Sequence, residues 1–374
     1  MNTASRHARL SALAKINLDL RVLGRRTDGY HDLRTVFQTV SLADSLDIEF
    51  NPAPETSIAL RSSIDIEDNL VARAARLMMD AMKTTGRIEM RLVKRIPMGA
   101  GLGGGSSDAA AVLLALPVLA GRRVPLETLL AIGACLGSDV PFFLLGGTAV
   151  GLGRGTELYP LPERPSAWGL VVAPEIHVST AEAYRMLNRP FLNELGQAEA
   201  PAPPNELGRA EAPALPDELG QAEAAALPDE LGQAEAPALP NEPGRAEAPA
   251  LPNADMINSF QSFAWDGGEF SPEAPAAGRN DFEPVVFAKH PELQQLKEGL
   301  ERSGAQPAML SGSGSALFGL YRGRAEAERA LRSLRNERAF LIAVVSRARY
   351  RALWWRRLGA HVAQKVWPPL SRYA

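Results

Sequence analysis

Pro97-Met-Gly-Ala-Gly-Leu-Gly-Gly-Gly-Ser-Ser-Asp-Ala-Ala110 is the stretch on which the fold turns. Five of the seven residues from Gly99 to Gly105 are glycine, which frees the backbone to approach a ligand closely. Before it, Ile88 to Val93 alternates apolar and polar residues as a strand does; after it, Ser106 to Leu119 is an apolar, alanine-rich helix. Ser106 and Ser107 are expected to cap that helix. A strand, a glycine loop and a helix start point unpaired N–H groups and the positive helix end at one place, an anion site suited to nucleotide phosphates. A tight structural turn is the alternative on these residues alone.

Other glycine-loop folds fit less well. Gly99, Gly101 and Gly104 satisfy G-x-G-x-x-G, but Arg87, Glu89 and Arg91 make the preceding strand half polar. No acidic residue ends a strand about twenty residues later, as a ribose binder would. The chain has no G-x-x-x-x-G-K-[ST], H-R-D or D-F-G, so the P-loop and protein-kinase folds are excluded.

Outward from the loop, Leu13 to Leu23 alternates with Ile16, Leu18, Leu20 and Val22 on one face and Lys15, Asn17, Asp19 and Arg21 on the other. Lys15 and Asn17 therefore project side by side. Asn69 to Met82 has helical apolar spacing. Pro291 to Ser303 and Ala325 to Arg338 read as helices, Phe340 to Val345 as a strand, and Ala308 to Tyr321 as a strand interrupted by a glycine-serine turn. The expectation is an α/β protein of two domains, residues 1–165 and 166–345, divided where Pro160, Pro162 and Pro165 cluster.

Residues 193–252 are five copies of a twelve-residue unit, NELGRAEAPALP with variations. Each copy ends in proline and offers one or two leucines, too few for a buried face, so the segment is expected to be disordered. A tolerated surface-loop expansion and a docking arm both fit it. Residues 346–374 form a basic extension with Trp354 and Trp355, either a docked terminal helix or a membrane-surface segment.

Composition narrows the partners. A net charge of −3 over 374 residues gives no case for nucleic-acid binding. One cysteine, Cys135, excludes an intramolecular disulfide and fits the cytoplasm. Neither a signal peptide nor a membrane span is expected, because the longest apolar stretch is broken by Gly146, Gly147 and Gly151.

Three segments join the glycine loop in a pattern: Ala14-Lys-Ile-Asn17, Gly137-Ser-Asp-Val-Pro-Phe-Phe143 and Leu310-Ser-Gly-Ser-Gly-Ser315. Together they resemble the motifs of the GHMP kinases, over residues 10–190 and 253–345. Asp28-Gly-Tyr-His31 and the segment at 137–143 are similar to the diphosphocytidyl-methylerythritol kinases rather than to homoserine, mevalonate or galactose kinases. The resemblance implies a nucleotide-binding N-terminal α/β domain and a ferredoxin-like C-terminal one. It implies ATP-dependent phosphorylation of the 2-hydroxyl of a cytidylyl-methylerythritol substrate, in isoprenoid precursor synthesis. Small molecules would be its partners, and a homodimer is compatible with it.

The resemblance also assigns roles. Asp139 would accept the hydroxyl proton and Lys15 would orient that carboxylate; Asp139 as a mere helix cap is the plain alternative. ATP would lie along Pro97, Met98, Gly99, Ala100, Gly101, Leu102, Gly103, Gly104, Gly105, Ser106 and Ser107, with Lys94, Asn69 and Leu70 at the adenine rim. Tyr30 and Tyr184 would sandwich the cytosine, with hydrogen bonds from His31 and Asn17 and further substrate contacts at Thr180, Gly312, Ser313 and Gly314. Magnesium is implied by the use of ATP; no carboxylate marks itself as its ligand, and Ser107 is a candidate contact. Another GHMP kinase, or an inactive nucleotide-binding scaffold, remains open at this point.

Overall fold

A computed structural model describes residues 5–187 and 278–373, apart from 27, 164, 335 and 336. The repeats at 193–252 lie outside the described residues. All described residues belong to one compact unit.

The first layer is a six-stranded sheet. Its spine is a long hairpin, β1 (Arg6–Arg25) against β2 (His31–Pro52). On its other edge β2 pairs with β4 (Gly86–Val93) through Ser45 to Pro52 and with β5 (Thr148–Gly153) through Leu33 to Gln38. Outer strands β3 (Ser57–Ser62) and β6 (Glu157–Pro160) complete the order β3-β4-β2-β5-β6, with β1 on β2. Only β3 and β4 run parallel.

Helices cover one face of this sheet: α1 (Leu70–Met82), α2 (Gly104–Ala120), α3 (Leu126–Leu136) and α4 (Val140–Leu145). From Ser107 to Leu119 every residue of α2 is buried, as expected of a helix that is apolar all round. The serines do not cap it. Gly103, in the left-handed region at φ 68°, is the N-cap, and no side chain bonds there. Only a glycine takes that turn without strain, so the cap position falls three residues earlier than serine preference suggested.

The second sheet runs β7 (Trp168–Val172), β8 (Ala308–Leu310), β9 (Leu317–Tyr321) and β10 (Ala339–Ala343) in the order β10-β7-β9-β8. Between β7 and β8 come α5 (Thr180–Leu187), α6 (Glu283–Lys289) and α7 (Pro291–Arg302); α8 (Arg324–Ser333) links β9 to β10. A fourth-first-third-second antiparallel order with crossover helices is the ferredoxin-like arrangement.

The C-terminal extension belongs to the first core. Its helix α9 (Arg347–Leu358) buries Tyr350, Trp354 and Leu358 in the same cluster as α2 and α4. Tyr350 donates to the Phe143 carbonyl and Trp367 Nε1 to the Leu144 carbonyl at 2.8 Å. Among the described residues no helix is long and apolar enough to cross a membrane.

Candidate active site

β1 places Lys15, Asn17 and Asp19 on one face, and all three are buried rather than solvated. Bulges between Leu13 and Lys15 and between Asn17 and Asp19 re-aim these side chains, as bulges beside functional sites do. Lys15 Nζ donates to Asn17 Oδ1 at 2.7 Å, and Asn17 Nδ2 donates to Thr35 Oγ1 at 2.7 Å. The Thr35 hydroxyl in turn donates to the Asp19 carbonyl, so the row is locked in one geometry. Lys15 Nζ also stands 3.4 Å from Asp139 Oδ2, with the lysine side chain 4% exposed and the aspartate 31%. Asp139 heads α4, yet its carboxylate makes no capping bond, which removes the helix-cap alternative.

Two glycine loops close over Lys15. The β1 backbone meets the first, Lys15 N donating to Leu102 O at 3.0 Å. That loop interlocks with the Ser311–Ser315 loop, for a Cβ added to Gly101 would fall 2.0 Å from the Ser311 carbonyl oxygen, and one added to Gly314 would fall 2.3 Å from Ala100 C. Ser311 Oγ donates to Gly101 O, and Ala316 N to Ala100 O. Neither glycine tolerates a side chain, because backbone occupies the space. Gly314 packs against the first loop, while Gly312 and Ser313 line the cavity.

That cavity, about 920 Å³, is lined by Lys15, Asn17, Asp139, Gly101 and Gly103 together with Tyr30, His31, Thr180 and Tyr184. Thr180 Oγ1 accepts from Ser313 Oγ at 3.0 Å, joining α5 to the second glycine loop. The aromatic arrangement differs from the expected tyrosine pair. His31 stacks on Tyr184, centroids 4.6 Å apart at 26°, and Phe282 meets Tyr184 edge-on. Tyr30, half exposed beyond Gly29, lies under the Arg154 guanidinium at 3.5 Å. Both ends of the Asn17 amide are engaged, with Lys15 and with Thr35.

Electrostatics follow from burial. His31 is pushed below the usual imidazole range by burial and then by Arg25, so it is neutral near pH 7. Burial, with the nearby Asp139 charge, raises Tyr184, whose phenol stays protonated.

Two residues assigned to the adenine rim are committed elsewhere. Lys94 is turned inward between Asp44 and Asp108, with its side chain 3% exposed. The Asn69 side chain accepts from Val71 N and caps α1. A polar residue at the edge of a glycine loop looks like a ligand contact in sequence, but here each answers an internal demand. Leu70 does adjoin the loop, its Cδ1 lying 3.6 Å from a Cβ added to Gly105. Met98 is 56% exposed, whereas Ala100, Leu102 and Ser107 are buried.

Sequence reasoning missed Arg154, Thr35 and Asn280. Asn280 Nδ2 donates to Leu310 O and Gly312 O and so shapes the second loop. Nothing local marks these residues, since each works through a partner distant in the chain.

This fold, with two interlocked glycine loops over a buried lysine and a facing aspartate, defines a GHMP kinase. Family models agree, the GHMP kinases N terminal domain matching residues 69–147 and the GHMP kinases C terminal domain residues 264–339. The chain is 53% identical, over 99% of both chains, to 4-diphosphocytidyl-2-C-methyl-D-erythritol kinase of Solibacter usitatus. It is 32% identical to the same kinase of Citrifermentans bemidjiense, over 90% of this chain and 97% of the relative. The chain belongs to the 4-diphosphocytidyl-2-C-methyl-D-erythritol kinase family. A crystal structure of 4-(cytidine 5'-diphospho)-2C-methyl-D-erythritol kinase superposes with a TM-score of 0.61 at 33% identity, covering 90% of this chain and 98% of the other. The mevalonate kinase of L. major, at a TM-score of 0.56 and 14% identity over 92% of this chain and 97% of that one, shares the fold alone.

Proposed function

We propose that this chain transfers the γ-phosphoryl group of ATP to the 2-hydroxyl of 4-diphosphocytidyl-2-C-methyl-D-erythritol, giving the 2-phosphate and ADP in the non-mevalonate route to isoprenoids. The observation that carries this reading is the Lys15–Asp139 contact in a cavity that Tyr30, His31 and Tyr184 also line.

In the reaction the 2-hydroxyl oxygen bonds to the γ-phosphorus while the bridging bond to ADP breaks, and Asp139 takes the hydroxyl proton. A carboxylate is a weak base for an alcohol, so alignment of the hydroxyl is the larger part of its role, and the proton leaves late. Lys15 has three N–H donors. One goes to Asn17, one faces Asp139, and the third serves the transferring phosphoryl group, whose charge grows in the transition state. The amides of Gly99 to Ser107 hold the other phosphates. In the same cavity His31 and Tyr184 form a neutral stacked platform for a cytosine face, with Tyr30 and Arg154 also in its lining.

Among the described residues no three His, Cys, Asp or Glu side chains are grouped to hold a metal ion. That donor set fits magnesium arriving on the nucleotide, which takes one or two protein oxygens and keeps several waters. The Ser106 and Ser107 hydroxyls are the oxygens that would join it, and its charge would offset that of the phosphates. We place the enzyme in the cytoplasm, acting on small molecules alone, as a monomer or homodimer.

Phosphorus NMR with magnesium, ATP and the cytidylyl substrate, beside homoserine and mevalonate, tests the reading. A new monophosphate ester only in the cytidylyl sample, with ADP, is the expected result. Turnover of another alcohol would transfer the chain to a sister activity, and folded, ATP-binding protein that phosphorylates none would leave a scaffold.

A further inference from the structure

Lys94 stands where β4 ends and the chain turns toward the glycine loop. Its ammonium is shared between two carboxylates from different elements: Asp44 on β2, and Asp108 near the start of α2, the latter at 2.7 Å. Asp44 does more, since its other oxygen accepts from the amides of Arg95 and Ile96, the two residues just before Pro97. Nζ also lies against the helix start, 3.2 Å from a Cβ added to Gly104. One buried cluster thus holds the segment entering the phosphate loop and the helix leaving it.

Stability alone is a poor reason for such a cluster. Removing three charged groups from water costs several kcal/mol each, and apolar replacements of similar volume are often as stable or more so. The loop between the two tethers has five glycines and little stiffness of its own. An anion site built from backbone amides works only when those amides are already aimed.

We propose that the Asp44–Lys94–Asp108 cluster is the positioning device of the phosphate loop: it fixes the spacing between the segment Lys94–Ile96 and the start of α2, and thereby nucleotide affinity, without touching the nucleotide. This deepens the kinase reading, on which it rests. Lys94, Asp44 and Asp108 are positioning residues in the strict sense, acting through Gly99 to Ser107.

The test is calorimetric binding of a non-hydrolysable ATP analogue with magnesium, in the absence of the cytidylyl substrate, to the wild type, Asp108→Ala and Asp108→Asn. Thermal unfolding and KM values for both substrates are measured alongside. Alanine frees α2 from Lys94 while leaving Lys94 paired with Asp44; asparagine keeps an oxygen for Lys94 to donate to. The expected result is nucleotide binding weakened about tenfold or more in Asp108→Ala and restored to within about threefold in Asp108→Asn, with the KM for the cytidylyl substrate nearly unchanged. A structural role alone would lower the melting temperature without separating the two substrates.

Wild-type affinity in Asp108→Ala would overturn the inference and leave the kinase reading intact, and so would parallel loss for both substrates. Wild-type protein that binds no nucleotide would overturn both. Should Asp108→Ala fail to fold, Lys94→Gln carries the same readout.

Discussion

The Tyr350 hydroxyl donates to the backbone carbonyl of Phe143, inside the short helix that Asp139 heads. Residues from the C-terminal extension thus brace the element that presents the Asp139 carboxylate. Gly146, which ends that helix at φ 70°, packs against the same ring, where an added Cβ would fall 2.3 Å from Tyr350 Cδ1. Tyr350→Phe is expected to destabilise the protein by about 1–2 kcal/mol, the cost of an unmade buried hydrogen bond, with a modest fall in kcat. Chemical denaturation beside steady-state kinetics measures both.

Asp139→Asn should lower kcat by ~10²–10⁴ while the KM for ATP changes little, because the group acts on the acceptor hydroxyl. Lys15→Met should be at least as damaging, since Lys15 is buried under both glycine loops and water cannot take its place. Single-turnover phosphoryl transfer is the assay, and unchanged turnover in Asp139→Asn would remove the assigned role.

Tyr184→Ala should raise the KM for the cytidylyl substrate by about tenfold or more and leave that for ATP near its normal value. Its ring stacks on His31 and meets Phe282, away from the phosphate loop. Equal changes in both KM values would argue against the cytosine platform.

Gly101→Ala is expected to abolish nucleotide binding. The residue has φ 81°, and its Cβ would collide with the Ser311 carbonyl at 2.0 Å, so the two loops must separate. Equilibrium binding of an ATP analogue checks this; wild-type affinity would mean that the loops need not interlock.

Asp108 supplies a pH dependence. Its carboxyl is held up to about 7 in the folded protein, against an ordinary 3.8 when unfolded. Between these values the folded state keeps a proton that the unfolded state has lost, so this group makes stability fall as pH rises from about 4 to about 7, with no further change above. Melting temperatures of wild type and Asp108→Asn, measured from pH 4 to 8, should diverge in favour of the variant over that window. Parallel curves would show that the carboxyl titrates normally.

How much of this was legible beforehand depends on range. The strand at Lys15, the helix from Asn69 to Met82 and the glycine loop were visible because periodicity and glycine content are local. Lys15 and Asp139 came from the resemblance, and the structure brings them to 3.4 Å. The inward turn of the Lys94 ammonium was not legible, since its partners are contributed by β2 and α2 and nothing near it in sequence announces them. The Arg154 guanidinium over Tyr30 was hidden for a similar reason, because it comes from just past β5. The close approach of the Ala100 backbone to Gly314 was equally hidden, because the two are far apart in the chain.

The bond from Ser311 to Gly101 spans 210 residues of chain. A nascent polypeptide emerging from the ribosome presents the whole glycine motif long before its counterpart has been synthesised. Until then the motif lacks the backbone that shapes it, so nucleotide can stabilise only the finished molecule. Contacts of such high sequence separation form late and slow folding. ATP is therefore expected to act as a latch, retarding unfolding once the two ends of the chain have met rather than hastening their meeting.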